Sequence, residues 1–555
     1  MKSKLLFLSF LVTSLFFSNA KAQVDVTNQY IKNPKVKAVS DYGWTIQYNA
    51  AGGGVATQND SVYDIFTSKV STAVCFVACQ PLTGLEEGVY RATVNAFNRS
   101  SQAYTNVIFY GETTEKQYQV NIKNQKADSL SYSSNDGKTI PYGGTTEATE
   151  VSKAFYSETQ SGGYWLNVLD NVIVKDGKLT IGITNIGQFQ VINTTVGSRT
   201  VFGNFKLYKL VGSALKPLLT NKITEANTLA SKNYSNVAAL NNAISTAQAI
   251  DDKSIAYNDI KVLQQAIDTY KTGSLADATT SNPVDATAYV KNASFEDGAI
   301  LMKVNQITDS IADTSGHYAI SGAGGYFNPV NWKTTIKSAR TLMASNNWDA
   351  IVVCDAVVFP IAKGTYTGNA SDGTYYYAAR KRWDSGAIST EQTITDLPAG
   401  NYKISVDLST GKTSNTTTGT FTASVGETAV LTAKPTSVDF TTFTSNQFTV
   451  NAGDQLLLKM AMNGGSDYRI LMDNIKLTYL GNGSMTGTKN NISEKDIKII
   501  NTTNGVLIRS QINKNIKVYS FSGQLIKSLN IAAGDNFVEL KQGLYLIDGV
   551  KTSVK

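Results

Sequence analysis

The chain has 555 residues, of which 42% are hydrophobic, 17% charged and 10% aromatic, with one histidine and three cysteines. Three cysteines in a chain of this length exclude a disulfide-stapled scaffold. The net charge is +7, but residues 1–22 hold three Lys and no acid, and residues 490–555 hold eight Lys and one Arg against five acids. The stretch between them sums to zero, so the basicity gives no support to nucleic-acid binding.

In chain order, Lys2 and Lys4 precede the apolar run Leu5 to Phe17, and Ala20-Lys21-Ala22 supplies a small-x-small cleavage site. This predicts a secretory signal over 1–22, too short for a stable bilayer anchor. No other run reaches the length of a transmembrane helix. The expected destination is the cell surface or the medium, by way of the periplasm.

Residues 23–212 carry short alternating strands and Gly-rich turns, the pattern of an antiparallel β-sandwich. Cys75 and Cys79 lie four residues apart on one predicted strand, about 13 Å, beyond the roughly 7 Å reach of a disulfide. Buried thiols are expected there. The texture changes over 213–275. Leu219, Ile223, Ala226 and Leu229 form one helical stripe, Leu240, Ile244 and Ala247 a second, and Leu263, Ala266, Ile267 and Tyr270 a third. This predicts a three-helix spacer bundle.

Residues 276–480 repeat the first sandwich. Asp25-Val26-Thr27 with Tyr30-Ile31-Lys32-Asn33 returns as Asp285-Ala286-Thr287 with Tyr289-Val290-Lys291-Asn292. Leu85-Glu86-Glu87-Gly88-Val89-Tyr90 returns as Leu397-Pro398-Ala399-Gly400-Asn401-Tyr402, and Asn204-Phe205-Lys206-Leu207 as Asn474-Ile475-Lys476-Leu477. The expected fold is therefore mainly β, with two antiparallel sandwiches separated by a helical bundle. A small all-β unit follows at 490–555.

That last unit reads Gly505-Val506, then Val518-Tyr519-Ser520-Phe521-Ser522-Gly523, then Gly543-Leu544-Tyr545, and finally Lys555. It resembles the C-terminal sorting domain of type IX secretion cargo, which implies an immunoglobulin-like β-sandwich and the type IX machinery as a partner. The repeats are similar to jelly-roll carbohydrate-binding modules and related galactose-binding-like domains. Asn292-Ala293-Ser294-Phe295-Glu296 and Asp473-Asn474-Ile475-Lys476-Leu477 carry that likeness in the second copy. The first copy departs from it at Asn33-Pro34-Lys35-Val36 and Gly203-Asn204-Phe205. The resemblance implies a polysaccharide or glycan partner. It also implies a structural Ca²⁺ held by Glu296 and Asp473 in the second sandwich, and none in the first.

Catalytic signals are thin. His317 follows Asp313-Thr314-Ser315-Gly316, but an aspartic-protease dyad needs a second such loop, and the chain has none. Gly411-Lys412-Thr413 lacks the earlier glycine of a phosphate loop. A non-catalytic protein is therefore expected. Sugar recognition rests on exposed aromatic faces with polar neighbours, which selects Tyr326, Trp332, Tyr375 and Tyr377 as ligand-binding candidates. The rival readings are a surface adhesion protein without sugar binding and a divergent glycan hydrolase.

Overall fold

The computed structural model describes residues 22–36, 43–48, 53–58, 62–67, 76–99, 107–123, 151–157, 161–185, 199–303, 318, 320–321, 324–325, 327–337, 354–360, 370–381, 387–410, 419–463, 468–482, 497–502, 504–520, 524–547 and 550–554. Two compact units form, Met1–Asn482 and Gly483–Lys555, and the chain is mainly β.

In the larger unit two sandwiches are built on one plan. The back sheet of the first runs Gly53–Gln58, Val62–Thr67, Arg199–Leu210, Gly88–Arg99, Leu166–Val174, with Gln23–Asp25 flanking Arg199–Leu210. Its front sheet runs Thr45–Tyr48, Phe76–Thr83, Lys178–Asn185, Val107–Glu112, Gln117–Asn121. The second back sheet runs Cys354–Pro360, Tyr375–Lys381, Tyr468–Tyr479, Gly400–Ser409, Thr441–Thr444, with Val284–Asp285 and Phe448–Val450 at its flanks. The second front sheet runs Lys333–Lys337, Ala387–Ile394, Leu456–Asn463, Thr420–Val425, Thr428–Ala433. Strand order is the same in both copies. Inward side chains such as Phe76, Val94, Phe109, Ile181 and Phe202 in the first, and Ile388, Val406, Phe421, Leu458 and Met472 in the second, fill the space between sheets, as strand alternation requires.

The repeat extends to single hydrogen bonds. Asp25 Oδ1 accepts from Thr27 N at 2.9 Å, and Asp285 Oδ1 from Thr287 N at 2.8 Å. Gln80 brackets Lys32, its Oε1 accepting from Lys32 N and its Nε2 donating to Lys32 O, and Gln392 brackets Lys291 in the same way. The Tyr90 hydroxyl donates to Glu86 O at 2.7 Å and that of Tyr402 to Pro398 O at 2.6 Å. Even an unfavourable backbone is copied, since Val36 has φ 56° and Phe295 φ 59°. Bulky residues rarely adopt such angles, so the surrounding packing must enforce them.

Three helices, Lys216–Ala230, Val237–Gln248 and Tyr257–Gly273, follow the first sandwich. They bury Leu219, Ala226, Leu240, Ile244, Leu263, Ile267 and Tyr270 together with Val89 and Leu210 of that sandwich. Pro217 starts the first helix, where its missing N–H costs nothing. Most of the stability of such short helices comes from this shared apolar face rather than from propensity.

The smaller unit pairs a three-stranded sheet (Ile497–Thr502, Gly505–Ser510, Gly534–Glu539) with a four-stranded one (Leu525–Ile531, Lys514–Ser520, Gly543–Ile547, Val550–Val554). Val506, Ile508, Ile516, Val518, Val538 and Ile547 form its core.

Candidate functional site

Each sandwich has a front sheet whose outer face is available for recognition only if nothing covers it. The two copies differ sharply here. In the first, Phe76 and Ala78 point into the sandwich core, so Val77 and Cys79 point out, as do Ile108 and Tyr110. All four outward residues are buried, in the same cluster as Leu301 and Met302 of the second sandwich. Gly182 lies opposite both Cys79 and Tyr110. A Cβ on Gly182 would come within 2.7 Å of Cys79 Cβ, so only glycine lets these side chains lie flat across the sheet.

The covering contacts are specific. Tyr318 N donates to Gln47 Oε1 at 2.7 Å, Gln47 Nε2 donates back to Tyr318 O at 2.8 Å, and the Tyr318 hydroxyl lies 3.3 Å from Cys79 Sγ. Lys116 Nζ donates to Glu296 O at 3.0 Å, and Gln117 N to Asp297 O at 2.8 Å. The Tyr375 hydroxyl bonds to Gln119. Burial pushes the Glu112 carboxyl up to about 7 against the pull of Lys303, and raises the Cys79 thiol.

The front face of the second sandwich is open. One rung crosses all five strands through Lys333, Glu391, Lys459, Thr422 and Thr432. The next carries Thr335, Ser389, Ala461 and Thr420. These residues are half-buried or exposed, whereas their neighbours Ile336, Ile388, Met460 and Phe421 face the core. Glu391 and Lys459 form an ion pair at 3.1 Å. The face presents hydroxyls, an ammonium-carboxylate pair and a second lysine on one side of the sheet. Such groups hydrogen-bond to polyhydroxylated ligands.

The residues expected to bind sugar fall elsewhere. Trp332 is 4% exposed, lies 5.7 Å from the Phe295 ring and donates its indole N–H to Asn292 O. Tyr377 is fully buried, its hydroxyl 2.7 Å from Thr390 Oγ1. Neither ring has a free face, which corrects the expectation that they stack on a ligand. Tyr375 is half-buried and engaged by the first sandwich. Tyr326 lies outside the described residues.

Glu296 and Asp473 do meet at one feature, the turn 371–375. Asp473 Oδ2 accepts from Ser371 N, Ser371 Oγ and Asp372 N at 2.8, 3.1 and 3.0 Å, and Oδ1 from Asn474 N at 2.7 Å. Glu296 Oε1 accepts from Thr374 N and Tyr375 N, both at 2.7 Å. Calcium requires six to eight oxygens turned toward the ion. Here the lone pairs of Asp473 are turned toward N–H and O–H donors, and no group of three or more His, Cys, Asp or Glu forms among the described residues. This donor set fits a hydrogen-bonded clamp and does not fit a calcium cradle. Burial raises the Asp473 carboxyl to about 7, although the bonds from Asp372, Asn474 and Ser371 pull it down.

Sequence reasoning missed the covered face. Its signal was present in Phe76-Val77-Ala78-Cys79, a strand with no polar alternation, as expected when both faces are buried.

No protein-family model and no curated protein sequence matches the chain. Among solved structures, a Stig cyclase from Fischerella sp. TAU is similar at 17% identity and TM-score 0.22, covering 32% of this chain and 97% of its own. TmCBM61, solved in complex with β-1,4-galactotriose, is similar at 15% identity and TM-score 0.21, covering 34% and 97%. The C-terminal family 22 carbohydrate-binding module of Clostridium thermocellum Xyn10B is similar at 11% identity and TM-score 0.18, covering 27% and 88%.

Proposed function

We propose that this is an exported, non-catalytic glycan-binding protein whose binding surface is the front face of the second sandwich. The observation that carries this reading is the contrast between the two copies. One front face is sealed with Val77, Cys79, Ile108 and Tyr110, and the equivalent one is open and lined by Lys333, Glu391, Lys459 and a row of Ser and Thr hydroxyls. The first sandwich then serves as a platform that fixes the second.

Binding of the mature protein to a polysaccharide array, followed by titration of the best ligand, tests the reading. Lys459→Ala, which removes a charged donor and leaves the core intact, is expected to weaken binding by about tenfold, the scale of one hydrogen bond to a charged group. An array without any positive, or equal affinity in Lys459→Ala and Thr422→Val, favours the rival, a surface adhesion protein that does not bind sugar.

We further propose that the smaller unit is the type IX sorting domain that its sequence resembles, and that residues 1–22 are the secretory signal. Deleting residues 490–555 is expected to leave the protein in the periplasm. Fractionation that finds the shortened chain at the surface rejects this.

A further inference from the structure

Among the described residues, the strongly exposed large apolar side chains gather in the smaller unit. Ile512, Leu525, Ile526, Phe537, Leu544 and Leu546 belong to it, and only Val24 and Val262 lie elsewhere. Such a concentration on a small domain marks a contact surface. Strand register shows where the surface lies. Ile516, Val518 and Ile547 face the core, so Tyr519 and Leu546 face outward. Tyr519 stands directly opposite Leu525 on one side and Leu546 on the other. Leu544, two residues from Leu546, shares that face and is 57% exposed. The outer side of the four-stranded sheet therefore carries one continuous apolar patch.

Charge divides the unit between its two sheets. The four strands that carry the patch hold Lys514, Lys517, Lys527 and Lys551 and no Asp or Glu. The three strands of the other sheet hold Lys498 and Arg509 against Asp535 and Glu539, with Arg509 paired to Asp535 at 2.6 Å. That sheet has its own outward apolar row, Ile500, Leu507 and Phe537, but no excess of charge. Lys517 is exposed on the same outer face as the patch, and Lys551 takes the place opposite Leu546 on the last strand.

Size narrows the partner. Four strands of five to seven residues present a face on the order of 400 Å², short of the roughly 800 Å² that each partner gives to a standard protein interface. A second copy or an acidic protein would be held poorly by this face alone. A bilayer needs no matched surface. Apolar side chains enter its headgroup–acyl boundary to a depth of about 5–10 Å while lysines stay among anionic headgroups.

We propose that the outer face of the four-stranded sheet docks on an anionic lipid surface, with Leu525, Leu544 and Leu546 in the headgroup–acyl boundary and Lys517 at the headgroup phosphates. This is independent of the glycan-binding face and of the export route.

Flotation of the mature protein with vesicles of phosphatidylcholine and phosphatidylglycerol in equal parts, against phosphatidylcholine alone, tests the face. Tighter binding to the anionic vesicles is expected. Lys517→Gln should weaken it by about fivefold, the scale of one lysine at an anionic surface. The double variant Leu525→Ser with Leu546→Ser should weaken it by about tenfold, and at 50% and 38% exposure neither position is needed by the core. Phe537→Ser, on the opposite sheet, should bind as wild type and serves as the control. Binding to neither vesicle, equal binding to both, or equal losses in Phe537→Ser and the double leucine variant overturns the proposal. So does a double leucine variant that binds as wild type, since the attraction would then be charge alone.

Discussion

Replacing Trp332 with Ala is expected to destabilise the second sandwich by about 3–5 kcal/mol, the usual cost of deleting a large buried aromatic. The indole fills the space beside Phe295, which in turn packs 5.6 Å from Tyr377. Removing it opens a cavity in a line of three rings and takes one of the two N–H donors from the Asn292 carbonyl, which keeps that of Phe295. Chemical denaturation of the mature protein should show the loss as a shift of the transition reporting on residues 276–480. Glycan affinity of the folded fraction should be unchanged, because the ring reaches no surface. A stable Trp332→Ala protein with weakened glycan binding would place the indole in a binding site after all.

Asp473 should come second in magnitude and first in its dependence on pH. The carboxylate is fully buried and accepts four hydrogen bonds, three of them from the turn 371–372. Asp473→Ala strips those donors of their acceptor, at a cost of about 2–4 kcal/mol, because each stranded donor carries its own desolvation penalty. The pH effect follows from the folded-state value near 7, raised from an ordinary 3.8. Between those two values the folded protein holds a proton that the unfolded chain has released, so stability falls as pH rises and levels off above 7. Glu112, also raised to about 7, adds to the same slope. The melting temperature should therefore decline from about pH 4 to pH 7, and Asp473→Asn should flatten part of that decline. A pH profile of Asp473→Asn with the same slope as wild type rules out the Asp473 assignment. Calcium at millimolar levels should leave the wild-type melting temperature where chelator leaves it, since the clamp offers no oxygen cage. A calcium-dependent rise would restore the metal reading.

Much of the architecture was legible because its signals are repeated. The Tyr90 and Tyr402 corners and the Asp25 and Asp285 side-chain turns each need a particular side chain at a particular spacing, and the chain carries each twice. The Gln80 and Gln392 brackets were invisible, since a single glutamine in a strand has no pattern around it. The site was harder to read for local reasons. Trp332 sits in a Gly- and Asn-rich stretch that reads as an exposed loop. Yet Asn331, at φ 66°, turns the chain so that the next side chain enters the core. The same reversal occurs at Gly43, φ 80°, before the buried Trp44. Tyr375 to Tyr377 alternate as a strand must, but Tyr376 is covered too, 5.8 Å from Phe440. Alternation says which ring faces which way and not whether another segment lies above it. The open Thr- and Lys-lined face has no aromatic to draw attention, and its residues look like ordinary strand surface until the register is known.

The seam that joins Gln47 to Tyr318 and Lys116 to Glu296 has a mechanical consequence. The first sandwich touches the helices through Leu210 and the Glu87–Lys261 pair, and Leu275, just beyond the last helix, is buried with the second sandwich. The second sandwich closes back onto the first. Among the described residues, chain connectivity and surface packing thus link the three bodies in a closed ring. A load pulling on the second sandwich is carried along two parallel routes, one through the helices and one across the sealed sheet. Neither route can lengthen while the other holds, so the assembly resists tension as a brace does and yields only when both routes let go together.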